Sequence, residues 1–351
     1  MKPSLPIAAT VAALFLASSV PAFARADQLA VTRVAPDKVS VTWSAKGQVD
    51  LFQADRPVTD PAQAKLVSAG DRDGKQEVSV DVAARPYFLV RDKADGSVVD
   101  VAERLVPLDQ GSNFRDIGGY RTVDGKAVRW GRIYRSGASA MLTPGDLARV
   151  QALGLADMVD LRSSEERVLA PTKIEGVRYA AVGYSMQEIL RMTMQGPSGA
   201  LYANLPTMLK PQLRMVFDLL KRHEGPIAYN CSAGQDRTGF TTAMVLSALG
   251  VPRETILADY HLSTTYRQPR WEMPPIDLAA HPNDPVAQVF SRGAAAGDRK
   301  PTPLYDAEGK SLLLGSFASI DAKYGSVEGY LEKEIGVTAA DLAALRATYL
   351  E

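Results

Sequence analysis

Over residues 25–107, the pattern of apolar and polar residues is typical of β-strands, and it changes after that region. Short apolar or alternating runs, typical of strands, fall at 31–34, 39–43, 49–52, 78–82, 87–90 and 98–106. Turn-forming pairs such as Pro36-Asp37 and Asp73-Gly74 separate the runs. The pattern predicts about five to seven strands in one small all-β domain over residues 25–107.

The predicted all-β domain resembles a fibronectin type III sandwich in its size and in the spacing of its strands. It holds no cluster of residues that could catalyse a reaction. We therefore expect it to act as a spacer or to dock a partner.

From residue 108 onward, helical periodicity alternates with short apolar runs. Helices are predicted, with Thr143 as the first N-cap, at 144–153, 206–221, 238–249, 253–262 and 339–350. Buried strands are predicted at 158–161 and 227–229. Alternating strands and helices predict an α/β domain over residues 108–351. Two irregular stretches rich in Met, Gly or Pro, 183–204 and 266–303, are candidate lids.

The first 24 residues have the order of a secretory signal peptide. Lys2 is followed by 22 uncharged residues that end in Ala22-Phe23-Ala24. An uncleaved membrane anchor is the alternative, since this length can just span a bilayer. Pro21 and the small residues at 22 and 24 favour cleavage after Ala24. We therefore expect a periplasmic or secreted protein that is not stably inserted in a membrane.

Composition narrows the classes of function. The 40 basic and 40 acidic residues balance, so no overall basic charge points to nucleic acid. The chain has one cysteine, which excludes an internal disulfide and a four-cysteine zinc site. Its three histidines, at 223, 261 and 281, are too scattered to suggest a metal site. No metal and no cofactor is expected.

The strongest chemical pattern is a loop between a predicted strand and a predicted helix. It reads Asn230-Cys231-Ser232-Ala233-Gly234-Gln235-Asp236-Arg237-Thr238-Gly239. Small residues let successive N–H groups turn inward, where they and the helix N-terminus can bind an anion. Arg237 adds a guanidinium that can bind two phosphate oxygens. The same positive field stabilises the thiolate of Cys231, to which Thr238 can donate its hydroxyl.

This C-x-x-G-x-x-R-T-G pattern resembles the signature of the protein tyrosine phosphatase superfamily. Residues 113–120, Asn-Phe-Arg-Asp-Ile-Gly-Gly-Tyr, resemble a motif of bacterial tyrosine phosphatases similar to the secreted enzymes of mycobacteria and Listeria. Further segments match in the same order, at 134–136, 160–163, 259–263, 324–326, 330–331 and 335–337. The resemblance covers about 108–351 and implies the cysteine phosphatase fold, a parallel sheet flanked by helices.

The resemblance also implies roles for individual residues. Cys231 is the nucleophile, and the phosphate is bound by the loop residues Ser232, Ala233, Gly234, Gln235, Asp236, Arg237 and Thr238. Asp236 is the first choice for the general acid and Asp160 the second. Asp116 is third, since it could instead hold Arg237 or cap a helix. Supporting roles are expected for Asn230, Asp116, Arg115 and Arg162, and ion pairs are favoured over phosphate contacts for Arg115, Arg135 and Arg162.

Two positions depart from the family pattern. Asn230 stands where the superfamily usually has histidine, and Gln235 stands where close relatives have lysine. The loss of a loop lysine disfavours highly charged phosphoinositides. The preferred substrate is therefore a phosphotyrosine protein or peptide. A phosphoinositide, inositol phosphate or other small phosphomonoester is the alternative, and a phosphate-binding pseudophosphatase is the third hypothesis.

Overall fold

The computed structural model describes residues 26–195, 199–294 and 300–351. The predicted signal peptide lies outside these residues, as do short parts of both candidate lids. Among the helices of the described ranges, none combines the length and apolar character that a membrane span requires.

The amino-terminal part forms two antiparallel sheets. Its strands are β1 Asp27–Ala35, β2 Lys38–Ser44, β3 Val49–Ala54, β4 Lys65–Asp71, β5 Lys75–Ser79, β6 Tyr87–Asp92 and β7 Val98–Ala102. One sheet has the order β1-β2-β5 and the other β4-β3-β6-β7. Apolar residues of both sheets, including Val41 and Leu51, share one buried core. The arrangement agrees with the predicted all-β region, while its likeness to fibronectin type III stays a prediction.

The remaining strands form one five-stranded sheet. They are β8 Arg115–Asp116, β9 Ile133–Ser136, β10 Asp157–Asp160, β11 Arg178–Ala181 and β12 Ile227–Asn230, in the order β11-β10-β12-β9-β8. Four are parallel, and the edge strand β8 is antiparallel to β9. Ser136, Asn230 and Asp160 lie side by side at the carboxyl ends of β9, β12 and β10. The loops after these three strands therefore meet at one edge, where ligands bind in such sheets.

Twelve α-helices are found in the described residues, all of them after residue 143. They are α1 Pro144–Gln151, α2 Ser164–Leu169, α3 Met186–Gln195, α4 Ala200–Met208, α5 Lys210–Arg222, α6 Asp236–Ala248, α7 Arg253–His261, α8 Ser263–Tyr266, α9 Pro285–Ala294, α10 Leu314–Tyr324, α11 Val327–Tyr330 and α12 Ala339–Tyr349. Helix α6 is buried along almost its whole length beside β12. The combination of parallel strands and helices over residues 108–351 confirms the predicted α/β class.

The predicted strands and helices are found at or near their predicted positions, but the structure also contains elements that were not predicted, among them β8, β9, β11, α2 and α10. Thr143 caps α1 as expected, in a capping box with Asp146. The helix predicted at 206–221 is two helices, α4 and α5, and Pro206 lies inside the first. Strand β4 was not predicted, because its residues are mostly exposed or half-buried and show no apolar alternation. Both candidate lids also contain helix, α3 in the first and α9 in the second.

Candidate active site

The loop from Cys231 to Arg237 joins β12 to α6 at the carboxyl edge of the sheet. Gly234 has a φ of +62° in this loop. A Cβ there would lie 2.6 Å from the backbone nitrogen of Gly137. Only glycine fits, because the loop passes directly against the segment that follows β9.

Contacts from outside hold the loop carbonyls. The N–H of Ala138 donates to the Ser232 carbonyl at 2.9 Å. The side-chain amide of Asn113 donates to the carbonyls of Ala233 and Gly234 at 3.1 and 2.8 Å. Arg135 Nη2 also donates to the Gly234 carbonyl, at 2.8 Å.

The backbone N–H groups of the loop differ from its carbonyls. Within the described chain, no hydrogen bond engages the backbone N–H groups of residues 232–237. Because the carbonyls are tied to the outside, these N–H groups are left for the inside of the curl. This is the arrangement of an anion-binding nest at a helix N-terminus.

Arg237 is held against the loop by a buried carboxylate. Its Nη1 and Nη2 donate to Glu166 at 2.6 and 2.7 Å, and Nη1 also donates to the Tyr184 hydroxyl at 2.7 Å. Glu166 also accepts from the Ser232 hydroxyl at 2.5 Å. Burial alone would raise the pKa of Glu166, but the charge and hydrogen bonds of Arg237 lower that pKa to about 2.

A second carboxylate lies behind the loop. Asp259 is paired with Arg115 at 3.1 Å and with Arg135 at 2.5 Å. Burial opposes its charge, but the two guanidiniums outweigh burial and hold the pKa of Asp259 far below its usual range. Two cations share one anion, so a net positive charge remains behind the carbonyl of Gly234. The preference for ion pairs at Arg115 and Arg135 is confirmed.

Asp236 faces tyrosines. The hydroxyl of Tyr202, on α4, donates to Asp236 Oδ1 and lies 2.5 Å from the Tyr260 hydroxyl. Burial, followed by the charge of Asp236, raises the pKa of Tyr202 well above its usual value. Tyr202 therefore stays protonated and donates to the carboxylate.

Gln235 meets a cation that lies outside the loop. Arg267 Nη1 donates to Gln235 Oε1 at 2.6 Å, while its other nitrogens bind Glu272 at 2.7 and 2.8 Å. Both candidate lids thus place side chains on the loop: Tyr184 and Tyr202 from the first and Arg267 from the second.

Among the described contacts, the carboxylate of Asp160 makes no hydrogen bond to the loop from Cys231 to Arg237. This carboxylate receives Arg162 Nε at 2.9 Å, Arg162 Nη2 at 2.7 Å and the Tyr179 hydroxyl at 2.7 Å. Arg162 in turn donates to the Ala170 carbonyl at 2.6 Å. These contacts tie together the loop after β10, so they fit a structural role. The assignment of Asp160 as an acid stays a prediction, with this geometry against it.

Asp116 neither holds Arg237 nor caps a helix, so both of those structural expectations are wrong. One oxygen of its buried carboxylate accepts from the Gly131 N–H at 2.7 Å and from Arg85 at 2.9 Å. The other oxygen accepts from the Gly118 N–H at 2.8 Å. Arg85 belongs to the amino-terminal β part, which sequence patterns alone could not place beside this motif.

The remaining predicted residues surround the nucleophile. Cys231 is 2% exposed. Burial opposes the charge of Arg237, but the charge and hydrogen bonds of Glu166 raise the pKa of Arg237 well above its usual value. The hydroxyl of Thr238 has no hydrogen-bond partner in the described chain, and its bond to the thiolate stays a prediction. In the part of the chain that the structure describes, the Asn230 amide donates to the Cys231 carbonyl alone, at 3.4 Å.

Sequence reasoning missed several contributors. Glu166 has no role in the sequence-based assignment, although Ser163 and Glu166 have the spacing of a capping box. Asn113 and Asp259 lie in quoted motifs, but no role was assigned to either. Nothing in the local pattern marks Tyr202 or Arg267, since each reaches the loop only through the fold.

Comparison with known proteins agrees with the geometry. A protein of Cupriavidus necator, named among the tyrosine-protein phosphatases, is 33% identical over 69% of this chain and 87% of its own length. The triple specificity protein phosphatase PtpB of Mycobacterium tuberculosis is 27% identical over 68% of this chain and 96% of its own. The P. aeruginosa TpbA structure is 17% identical over 54% of this chain and 89% of its own, and its TM-score of 0.26 is too low to support an argument.

The family model described as "Tyrosine phosphatase family" matches residues 106–351. The match spans the α/β part of the molecule, including the loop and the motifs around it. It confirms the resemblance that the motifs predicted. This chain belongs to the tyrosine phosphatase family.

Proposed function

We propose that this chain is an exported protein tyrosine phosphatase that hydrolyses phosphomonoesters through a phosphocysteine. One observation supports this most directly. The loop carbonyls of Ser232, Ala233 and Gly234 are bonded outward, and the loop N–H groups are left unengaged within the described chain. This cradle lies between the only cysteine and a guanidinium fixed by Glu166.

In the first step, the Cys231 thiolate attacks phosphorus and forms a sulfur–phosphorus bond. The bond from phosphorus to the leaving oxygen breaks, and that oxygen takes a proton from a carboxylic acid. The loop amides and Arg237 stabilise the equatorial oxygens as their charge develops. In the second step, water attacks phosphorus and frees phosphate and the thiolate.

Glu166 orients the guanidinium for this task. Together with Tyr184 it engages three of the five N–H donors of Arg237. The Nε donor and one Nη2 hydrogen remain for phosphate oxygens. The ion pair therefore leaves a bidentate phosphate contact available while it fixes the plane of the fork.

Asp236 is the proposed general acid. It lies in the loop itself, and Tyr202 donates to one of its oxygens and leaves the other for the leaving group. The same carboxylate then acts as the base that activates water. Asp160 cannot easily take this part, because Arg162 and Tyr179 occupy its oxygens.

The substrate is proposed to be a phosphotyrosine protein or peptide, and the location is proposed to be the periplasm or the exterior. Location rests on the leader pattern of residues 1–24. A small, highly charged phosphomonoester is the second candidate substrate. One contact favours it, since Arg267, although paired with Glu272, brings a guanidinium to Gln235, the position where close relatives have lysine.

Single-turnover hydrolysis tests the activity. Mature protein and Cys231→Ser are mixed with a phosphotyrosine peptide in the presence of a chelator, and released phosphate is followed. Release by the parent alone, with phosphate trapped on protein after acid quench, is the expected result. Phosphate binding without release from tyrosine, lipid, inositol or serine phosphates would instead support a pseudophosphatase.

A further inference from the structure

A buried ion pair joins the amino-terminal β part to the 113–120 motif. Arg85 Nη2 lies 2.9 Å from Asp116 Oδ2, with side-chain exposures of 6% and 0%. Arg85 lies just before β6, and Asp116 forms half of the two-residue edge strand β8. Among the described contacts, no other cation reaches this carboxylate.

The surroundings of Arg85 stabilise its buried charge. Its Nε donates to the Glu103 carbonyl at 3.0 Å, and its guanidinium lies 4.9 Å from the Tyr87 ring centre and 5.6 Å from that of Tyr134. Burial works against the charge, but the two phenols and Asp116 outweigh it, so the pKa of Arg85 is raised. Removing either partner would leave the other charged and buried.

The backbone connects this ion pair to the loop from Cys231 to Arg237, which is called the phosphate loop from here on. Strand β8 pairs with β9 through two positions, Arg115 with Arg135 and Asp116 with Tyr134. Two residues before β8, Asn113 donates to the carbonyls of Ala233 and Gly234. A shift of β8 would therefore displace the Asn113 amide, and this amide keeps the loop carbonyls turned outward.

Trp130 provides a second tie between the same two regions. It is 4% exposed and belongs to the buried core of the β part, although it lies outside that part in sequence. A Cβ on Gly118 would lie 2.5 Å from the Trp130 Cα, and one on Gly119 would meet its indole ring. The paired glycines of the 113–120 motif thus make room for a tryptophan that is inserted into the β core.

We propose that Arg85 is a positioning residue of the phosphate loop, and that the amino-terminal β part belongs to the scaffold of the site. Arg85 acts through Asp116, β8 and Asn113, and it does not touch the substrate. This role differs from that of a spacer or of a module that only docks a partner. The inference depends on the proposed function only in the experiment that measures hydrolysis.

The test uses inorganic phosphate as the probe of loop geometry. The full mature chain is compared with Arg85→Gln, Arg85→Lys, Asp116→Asn and the double variant Arg85→Gln/Asp116→Asn by calorimetric titration. All measurements are made at temperatures well below the unfolding midpoint of each variant. We expect phosphate to bind about tenfold more weakly to Arg85→Gln, since small displacements of binding groups are costly. The double variant should lose no more than Arg85→Gln alone, because the two residues act through one contact.

Arg91→Gln is the matched control. Arg91 also pairs with a carboxylate in the β part, at 2.6 Å from Asp50, but it makes no described hydrogen bond to residues beyond 107. Its phosphate affinity should equal that of the parent. If Arg85→Gln does not fold, Arg85→Lys retains the charge but not the fork, and a loss of about threefold is expected.

Kinetics with a phosphotyrosine peptide separates this proposal from the proposed function. The Arg85 variants should lower kcat by about the factor by which they weaken phosphate binding. A parent that binds phosphate but hydrolyses nothing would overturn the proposed function and leave this inference intact. Phosphate affinity within twofold of the parent in the folded Arg85 and Asp116 variants would overturn the inference, whatever their stability.

Discussion

The phosphate-loop side of the catalytic sheet and the interior of the amino-terminal β part are both buried, but they are built differently. Around the loop, Arg115, Arg135 and Arg162 are fully buried and each meets a carboxylate. Between the two β sheets, the core consists of apolar side chains such as Val41 and Leu51.

This difference separates function from stability. A buried ion pair adds little net stability compared with an apolar core, because desolvation offsets much of the attraction. It does fix side-chain orientation, which an anion site needs. We therefore expect substitutions near the loop to reduce catalysis most, and substitutions in the β core to reduce stability most.

Asp236→Asn tests the sharpest part of the comparison. The amide can neither donate the acid proton nor act as a base, so kcat should fall by about 10²–10⁴-fold. The basic limb of the pH–rate profile should disappear with it. Steady-state kinetics of a phosphotyrosine peptide across pH measures both effects.

Asp160→Asn is the control for that variant. It removes the charge that pairs with Arg162, so the unfolding free energy should fall by about 3 kcal/mol. At temperatures where the variant is folded, its pH–rate profile should retain both limbs. A lost limb in Asp160→Asn and a retained limb in Asp236→Asn would exchange the two assignments.

Glu166→Gln is expected to reduce kcat/KM by about 100-fold. The amide keeps the shape of the side chain but cannot accept both donors of Arg237, so the guanidinium is no longer fixed. The neighbouring Glu165→Gln is the control, because Glu165 accepts from Ser185 and not from Arg237. Equal losses in the two variants would show that Glu166 has no specific part in orienting Arg237.

Leu51→Ala examines the other region. Leu51 is fully buried in the β core, and its truncation should lower the unfolding free energy by about 2–5 kcal/mol. Urea unfolding measures this loss. In folded protein, kcat should remain within about twofold of the parent, since Leu51 packs in the β core, and that cluster contains no residue of the loop from Cys231 to Arg237. A tenfold loss of kcat in folded protein would contradict the separation between the regions.

Asp100→Asn should produce the smallest effect. Asp100, on β7, is partly buried and its carboxyl meets that of Glu351. Burial, then this contact, raises its pKa to about 8. The folded state therefore binds a proton that the unfolded state releases, and parent stability falls as pH rises from about 4 to 8. The variant should be more stable than the parent at pH 8, and the difference should disappear toward pH 4.

The opposite sign holds for Glu166. Its lowered pKa, about 2, stabilises the fold above the ordinary pKa of a glutamate, and this stabilisation is lost as pH falls toward 2. Thermal unfolding at several pH values distinguishes the two groups. An identical slope in the parent and in Asp100→Asn between pH 4 and 8 would contradict a shared proton at Asp100.

Local patterns were enough for the elements whose causes are local. The capping box of α1, the buried strand β12 and the start of α6 follow from residues that are close in the chain. The loop from Cys231 to Arg237 is also contiguous, so its chemistry could be predicted from its residue types. Strand β4 could not, because its exposed or half-buried residues lack an apolar alternation.

The sequence by itself therefore determined the α/β class, the loop and its family, because each depends on residues within a few positions of one another. Only the tertiary structure decided the partners of the charges. Glu166 reaches Arg237 across 71 positions, Arg115 reaches Asp259 across 144 and Arg85 reaches Asp116 across 31. Such pairs form because the sheet order and the packing of the amino-terminal β part bring together segments that are distant in sequence. A buried charge must then meet whichever opposite charge the fold places beside it.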